Sequence, residues 1–142
     1  LRTLDVRLKQ HYENTKIIIN FLKKQKKIKE ILYPHIPSSK NYKLWKKYYS
    51  GANGLFSVVI KSKKKSSVVK FVNSLELFGI GYSWGGFESL VLLQELRTNT
   101  KYTQTRKYLR FAKDEHIVRF HIGLEDPRDL ITDLKKSLRY IK

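Results

Sequence analysis

No cysteine and no methionine occur in these 142 residues, and proline occurs only three times. Without thiols there are no disulfides, no thiolate metal ligands and no cysteine nucleophile. The four histidines, His11, His35, His116 and His121, lack the spacing of a zinc site, so no metal is expected. A chain that starts at Leu1 with no methionine at all leads us to expect processing or truncation. Long apolar runs are missing too: none approaches the roughly 18 residues of a membrane span. The opening "LRTLDVRLKQHYENTK" lacks the charged start and apolar centre of a secretory signal. The expectation is a soluble, cytoplasmic chain with no membrane partner.

Acidic residues are scarce, 12 against 30 lysines and arginines, for a formal charge of +18. The runs "KKQKK" (23–27) and "KSKKK" (61–65) fit a protein that displaces counterions from nucleic-acid phosphates. They equally fit solvated helix faces and loops, and the lysines spread from Lys9 to Lys142 rather than gathering on one motif. Nucleic acid is therefore not the expected partner. The 41% hydrophobic content is enough for one core at this length but not for two, so residues 1–142 are read as one domain.

Along the chain, Leu4, Leu8, Ile18, Phe21 and Leu22 follow helical spacing, and residues 1–27 are read as a long leading helix. Ile28 to Leu32 is a short strand closed by Pro34 and Pro37. "SSKNYKLWKKYYSGANG" supplies cap-forming serines, a short helix and a glycine-rich turn. "LFSVVI" predicts a strand, "SSVVKFVNSL" a helix burying Val68, Val69, Phe71 and Val72, and "LELFGIGY" a further strand. On that last strand Gly79 and Gly81 share one side of the pleat, open to close approach. Residues 94–114 read as loop with some helix. "IVRFHI" is the final strand, and Asp126 caps a closing helix with Pro127 at its first position and an apolar stripe of Leu130, Ile131, Leu134, Leu138 and Ile141. Too few βαβ units occur for a doubly wound sheet. An α+β layer is expected, a mostly antiparallel sheet with helices on one face.

Two stretches could carry chemistry. In "IVRFHI" the two-residue period places Val118, Phe120 and Ile122 on the core face and Ile117, Arg119 and His121 on the other. A guanidinium on a rigid strand is a planar fork that fits a carboxylate or phosphate, though on a wet sheet face it would mean little. His121 is read as structural. In "GIGYSWGGFESL" glycines bracket Tyr82, Ser83 and Trp84, but Trp84 stands where a dinucleotide fingerprint needs its third glycine. Ser83 and Ser89 lack a nucleophile elbow. What remains is a hinged loop at a strand end, a ligand contact or a plain aromatic turn.

Together, "LWKKYYSGANGLFSVVIK", "GYSWGGFESLVL" and "HIVRFHIGLEDPRDLITDLKKSL" resemble the carboxyl-terminal part of the cystathionine β-lyases, within the pyridoxal-phosphate enzymes of cysteine and methionine metabolism. The opening "LRTLDVRLKQHYENT" is similar to the helix leading into that part, so the resemblance spans nearly the whole chain and is weakest between Gln94 and Lys113. Trp84 stands where the γ-lyase and γ-synthase relatives typically carry leucine. The resemblance implies the small carboxyl-terminal domain of an aspartate-aminotransferase-like (fold type I) enzyme. It further implies that Arg119 binds the substrate α-carboxylate, that Ser83 and Trp84 lie beside it, and that Tyr82 walls the substrate pocket.

The implied reaction cleaves cystathionine, an amino-acid thioether, to homocysteine, pyruvate and ammonia through a lysine Schiff base with pyridoxal phosphate. The lysine and the cofactor-binding groups belong to a large domain that this sequence lacks. The expectation is a fragment with no catalytic residue and no bound cofactor, inactive until a large domain is supplied, and inclined to homo-oligomerise. A basic remnant that binds nucleic acid or serves only as a structural module is the alternative.

Overall fold

The computed structural model describes residues 2–94 and 111–142. Five strands form one sheet in the order β1-β2-β5-β4-β3: β1 (Ile28–Leu32), β2 (Leu55–Lys61), β3 (Gly79–Ile80), β4 (Leu90–Gln94) and β5 (Glu115–His121). The pairings β1/β2, β2/β5 and β5/β4 are antiparallel, while β3 runs parallel to β4 over two rungs, Gly79 with Leu90 and Ile80 with Val91. The helices are α1 (Leu4–Leu22), α2 (Tyr42–Tyr48), α3 (Lys65–Asn73) and α4 (Pro127–Leu138).

The period-two reading of β5 holds. Val118, Phe120 and Ile122 are buried in one core with Val58 and Ile60 of β2, Val91 of β4, Ile18 and Leu22 of α1, Val68 and Phe71 of α3, and Leu130 and Leu134 of α4. Three helices thus cover one sheet face, the α+β layer expected. Phe120 is its centre, stacked on Phe56 at 5.7 Å between ring centroids and meeting the edge of Phe78 at 5.6 Å. Val69, expected to be buried, is 37% exposed, because the apolar stripe of α3 is only wide enough for Val68, Phe71 and Val72.

Four expectations need correction. The leading helix stops at Leu22, and its buried stripe is His11, Asn14, Thr15, Ile18, Ile19 and Leu22, with Leu4 and Leu8 left exposed. The strand expected over "LELFGIGY" shrinks to Gly79–Ile80. Its first amides are used elsewhere: the buried Asp133 carboxylate of α4 accepts from the backbone N–H of Glu76 at 3.0 Å and of Leu77 at 2.9 Å, so they cannot join a ladder. What comes closest to the open side of Gly79 and Gly81 is the Leu90 side chain. Finally, β4 was not foreseen as a strand. "LVLL" is buried at its first three positions, so alternation, the usual mark of a strand, is erased. The reading of residues 94–114 falls, for 95–110, outside the described residues.

The closing helix starts as expected. Asp126 accepts from the N–H of Arg128 at 2.8 Å, and Pro127 follows. The Arg128 guanidinium also grips the carboxylate, and these bonds hold Asp126 at a pKa of about 2.

Candidate carboxylate clamp

β5 is the central strand, so Arg119 is fixed on both sides: it faces Ser57 on β2 and Leu92 on β4. Its side chain is half-buried and leans toward the loop that joins β3 to β4. Nη2 donates to the carbonyl of Tyr82 at 2.9 Å and to that of Ser83 at 3.2 Å. Both bonds use one nitrogen of a group with five N–H donors, so the fork keeps donors for an anion. The strand arginine and the glycine-hinged loop, separate in sequence, are therefore one site.

The loop's shape follows from its residues. The hydroxyl of Ser83 accepts from the N–H of Gly85 at 3.1 Å, a tight local turn. Gly85 has φ +101°, a left-handed region that side chains rarely adopt, and a Cβ there would run into the His121 ring. Tyr82 and Trp84 consequently point outward and are 85% and 78% exposed. All four residues expected at the site come together here. Two larger surface clefts, of about 560 and 710 Å³, contain none of them.

Two supports complete the site, one read in the sequence only as structural and one not foreseen. His121 is buried, its Nε2 lies 3.3 Å from the carbonyl of Gly86, and its ring tilts against that of His11 at 5.0 Å. Farther along, the Glu125 carboxylate accepts from the N–H and hydroxyl of Ser89 at 2.6 and 2.8 Å, while the Ser89 hydroxyl accepts from the N–H of Gly123 at 2.9 Å. Ser89, considered and set aside as a nucleophile, is thus a wholly buried tie between the end of the loop and the turn after β5. The signal was the acidic pair in "GLED", of which only Asp126 had been given a role.

The Cys/Met metabolism PLP-dependent enzyme model matches residues 1–139. The chain belongs to that family. Over 135 residues it is 36% identical to the cystathionine beta-lyase MetC of Escherichia coli, covering 94% of this chain and 33% of that protein. Over 139 residues it is 37% identical to an L-alanine/L-glutamate racemase of Wolbachia pipientis, covering 97% of this chain and 33% of that protein. The solved cystathionine gamma synthase of Xanthomonas oryzae in complex with cystathionine superposes with a TM-score of 0.84 at 27% identity, over 99% of this chain and 36% of that one. The fold is that of fold type I pyridoxal-phosphate enzymes. The chain spans about a third of the length of these relatives.

The family depends on pyridoxal phosphate, and the clamp does not fit that group by itself. A Schiff base needs a lysine amine within reach of the reacting carbon. Among the described residues, the strand neighbours of Arg119 are Ser57 and Leu92, and the loop 81–89 contains no lysine. No group of metal-ligating side chains occurs among the described residues either, and no described helix is long and apolar enough to cross a membrane.

Proposed function

We propose that this chain is the carboxyl-terminal, substrate-carboxylate-binding part of a cystathionine β-lyase, with the cofactor and its lysine supplied by a large domain outside these residues. The carrying observation is Arg119, held on the central strand with free donors beside the Tyr82–Trp84 loop. An amino-acid carboxylate meets the guanidinium through parallel N–H bonds, which fixes the α-carbon relative to the sheet. Tyr82 and Trp84, outward and apolar-bodied, wall the space above it, and Ser83 brings its backbone alongside. The chain's charge of +18 favours an anionic substrate group at a distance. No step of bond cleavage is assigned to this chain's own residues.

The reaction of the complete protein is cleavage of cystathionine to homocysteine, pyruvate and ammonia. The racemase similarity supports a second reading, in which the same carboxylate clamp serves proton exchange at the α-carbon of a small amino acid. Joined to a large domain, the β-lyase releases pyruvate from cystathionine, whereas the racemase converts L-alanine to its D form without pyruvate. Alone, with pyridoxal phosphate and cystathionine, the chain gives no aldimine absorbance band and no pyruvate; either signal would overturn the assignment. In the joined protein Arg119→Lys, which keeps the charge but loses the planar fork, lowers kcat/KM by about 10²-fold. An unchanged kcat/KM would remove Arg119 from the carboxylate.

Exposed apolar side chains support the missing-domain reading. Ile80, Tyr82, Trp84 and Phe87 are 61 to 85% exposed around the clamp, and Leu4 and Leu8 are exposed on α1. Such a surface wants cover from the large domain or from a second copy. Sedimentation of the chain alone is expected to show self-association that a large domain abolishes. The basic nucleic-acid module is not favoured, since the family match runs along nearly the entire chain.

A further inference from the structure

On the reading just proposed, Arg119 has two claimants. Its Nη2 now ties the loop to β5 through the Tyr82 and Ser83 carbonyls, and a substrate carboxylate would draw on the same guanidinium. The loop would then lose that tie when Tyr82, Ser83 and Trp84 must stand beside the substrate. Within Tyr82–Phe87 two other ties remain: the Gly86 carbonyl meets His121 Nε2 at 3.3 Å, and the Phe87 carbonyl accepts from the N–H of Leu124 at 2.8 Å. Only the first comes from a side chain.

We infer that His121 is a positioning residue, holding the Tyr82–Gly86 loop against β5 through the Gly86 carbonyl while Arg119 engages substrate. The ring is built in. It lies two residues from Arg119 on the same face of β5 and is 7% exposed. Glycines flank it: a Cβ on Gly85 would collide with the imidazole, and one on Gly54 would meet the Ile122 carbonyl and the imidazole edge. His11 packs on the ring and is itself fixed, its Nδ1 donating to the Ile122 carbonyl at 2.8 Å.

The tautomer follows from these partners. Nε2 faces a carbonyl and carries the hydrogen, so Nδ1 is a bare acceptor. Nδ1 is buried with no partner, and so is Nε of Arg7. His121, Arg7, His11 and Asn53 line a cavity of about 210 Å³ under Trp84. A proton arriving at Nδ1 would create a buried imidazolium. Facing it are His11 and Arg7 from α1, and the Glu125 carboxylate from the turn after β5. Burial pushes the imidazole below its ordinary value; the Gly86 bond and Glu125 oppose that shift, and His11 adds to it. Gly85 packs over the ring, so the closed loop is part of what buries it: that burial favours the closed loop in full above the ordinary histidine value of 6.5 and opposes it increasingly as pH falls below, against the Gly86 bond, which an imidazolium still donates.

Trp84 and Trp45 are the two tryptophans of the chain, so in a Trp45→Phe background that also carries Arg119→Gln, which removes the Arg119 tie to the Tyr82 and Ser83 carbonyls, the anisotropy decay of Trp84 reports the loop as His121 holds it. At neutral pH the tryptophan is expected to be restricted, with the fast component growing roughly twofold on acidification below the ordinary histidine range. His121→Gln keeps a donor for Gly86 and takes no proton, so its Trp84 stays restricted through that range. His121→Leu gives the released decay at every pH. A pH step that survives in His121→Gln, or a restricted Trp84 in His121→Leu, would overturn the inference. Should His121→Leu fail to fold, the His121→Gln titration decides. Failure of the carboxylate reading would look different: these decays would stand, and only kcat/KM of Arg119→Lys would be unmoved.

Discussion

The two faces of β5 are built from alternate residues of one seven-residue strand, yet they are held by different physics. On the helix side, Val118, Phe120 and, one residue past the strand, Ile122 are 0 to 1% exposed and belong to the apolar core. On the other side, Arg119 and His121 each meet loop carbonyls through one nitrogen, and one buried nitrogen of His121 is left without a partner. The first face stabilises by area removed from water, which depends on volume and shape. The second places a few donors and gains little net free energy from each. Stability and recognition are thus separated by a single residue step along the strand, and substitutions should sort by face.

The largest effect belongs to the core. Phe120→Ala removes a ring packed on Phe56 and Phe78 and should cost about 3–5 kcal/mol, read as a drop in the urea midpoint. A loss under about 1 kcal/mol would mean that the helical layer can collapse onto the gap and that the two faces are less distinct than they look.

Next comes a polar tie inside the apolar layer. Asp133 is 5% exposed and satisfies the amides of Glu76 and Leu77. Asp133→Ala leaves those donors without an acceptor and should cost about 1–3 kcal/mol in urea unfolding. Hydrogen exchange at these two amides would rise first; unchanged exchange there would show that the carboxylate is not what holds the α3–β3 turn.

Smaller again is the helix cap. The Arg128 side chain and backbone hold Asp126 at about 2, below its ordinary 3.8. A depressed carboxylate stabilises the fold above its unfolded value, and that contribution fades as pH falls from about 4 toward 2. Asp126→Asn should therefore lower Tm at neutral pH and flatten the acid limb between those values. An acid limb identical to the parent's would assign the titration elsewhere.

These residues also show where the sequence was legible. Period two in "IVRFHI" separated Val118, Phe120 and Ile122 from Arg119 because one face meets the apolar helical core and the other carries polar side chains toward the loop. Asp126 followed by Pro127 announced a helix start by capping chemistry alone. By contrast β4 hid in "LVLL", where burial on both faces removes the alternation, and "LELFGIGY" looked like a strand because its apolar residues say nothing of Asp133, more than fifty residues later, taking the amides. At the site, Arg119 and the Tyr82–Trp84 loop were both visible, but not their contact, which depends on β4 bringing the loop back beside β5. His121 was seen as structural, and only the fold shows that what it supports is the loop.

The smallest expected change is the most telling. Arg119→Gln removes the charge from the centre of the sheet and leaves an amide too short to serve both carbonyls. If the second face were a stability device, that loss would resemble the Asp133 variant. Arg119 is half-buried, its two bonds run to an exposed loop, and the Gly86 and Phe87 carbonyls keep their own donors. The cost in urea unfolding should stay within about 0.5 kcal/mol, the range of surface changes away from buried networks. Joined to a large domain, the same variant should lose most of its kcat/KM. A stability loss of about 2 kcal/mol or more would instead make Arg119 a structural cross-link, and the contrast between the two faces of β5 would fail at the residue that defines it.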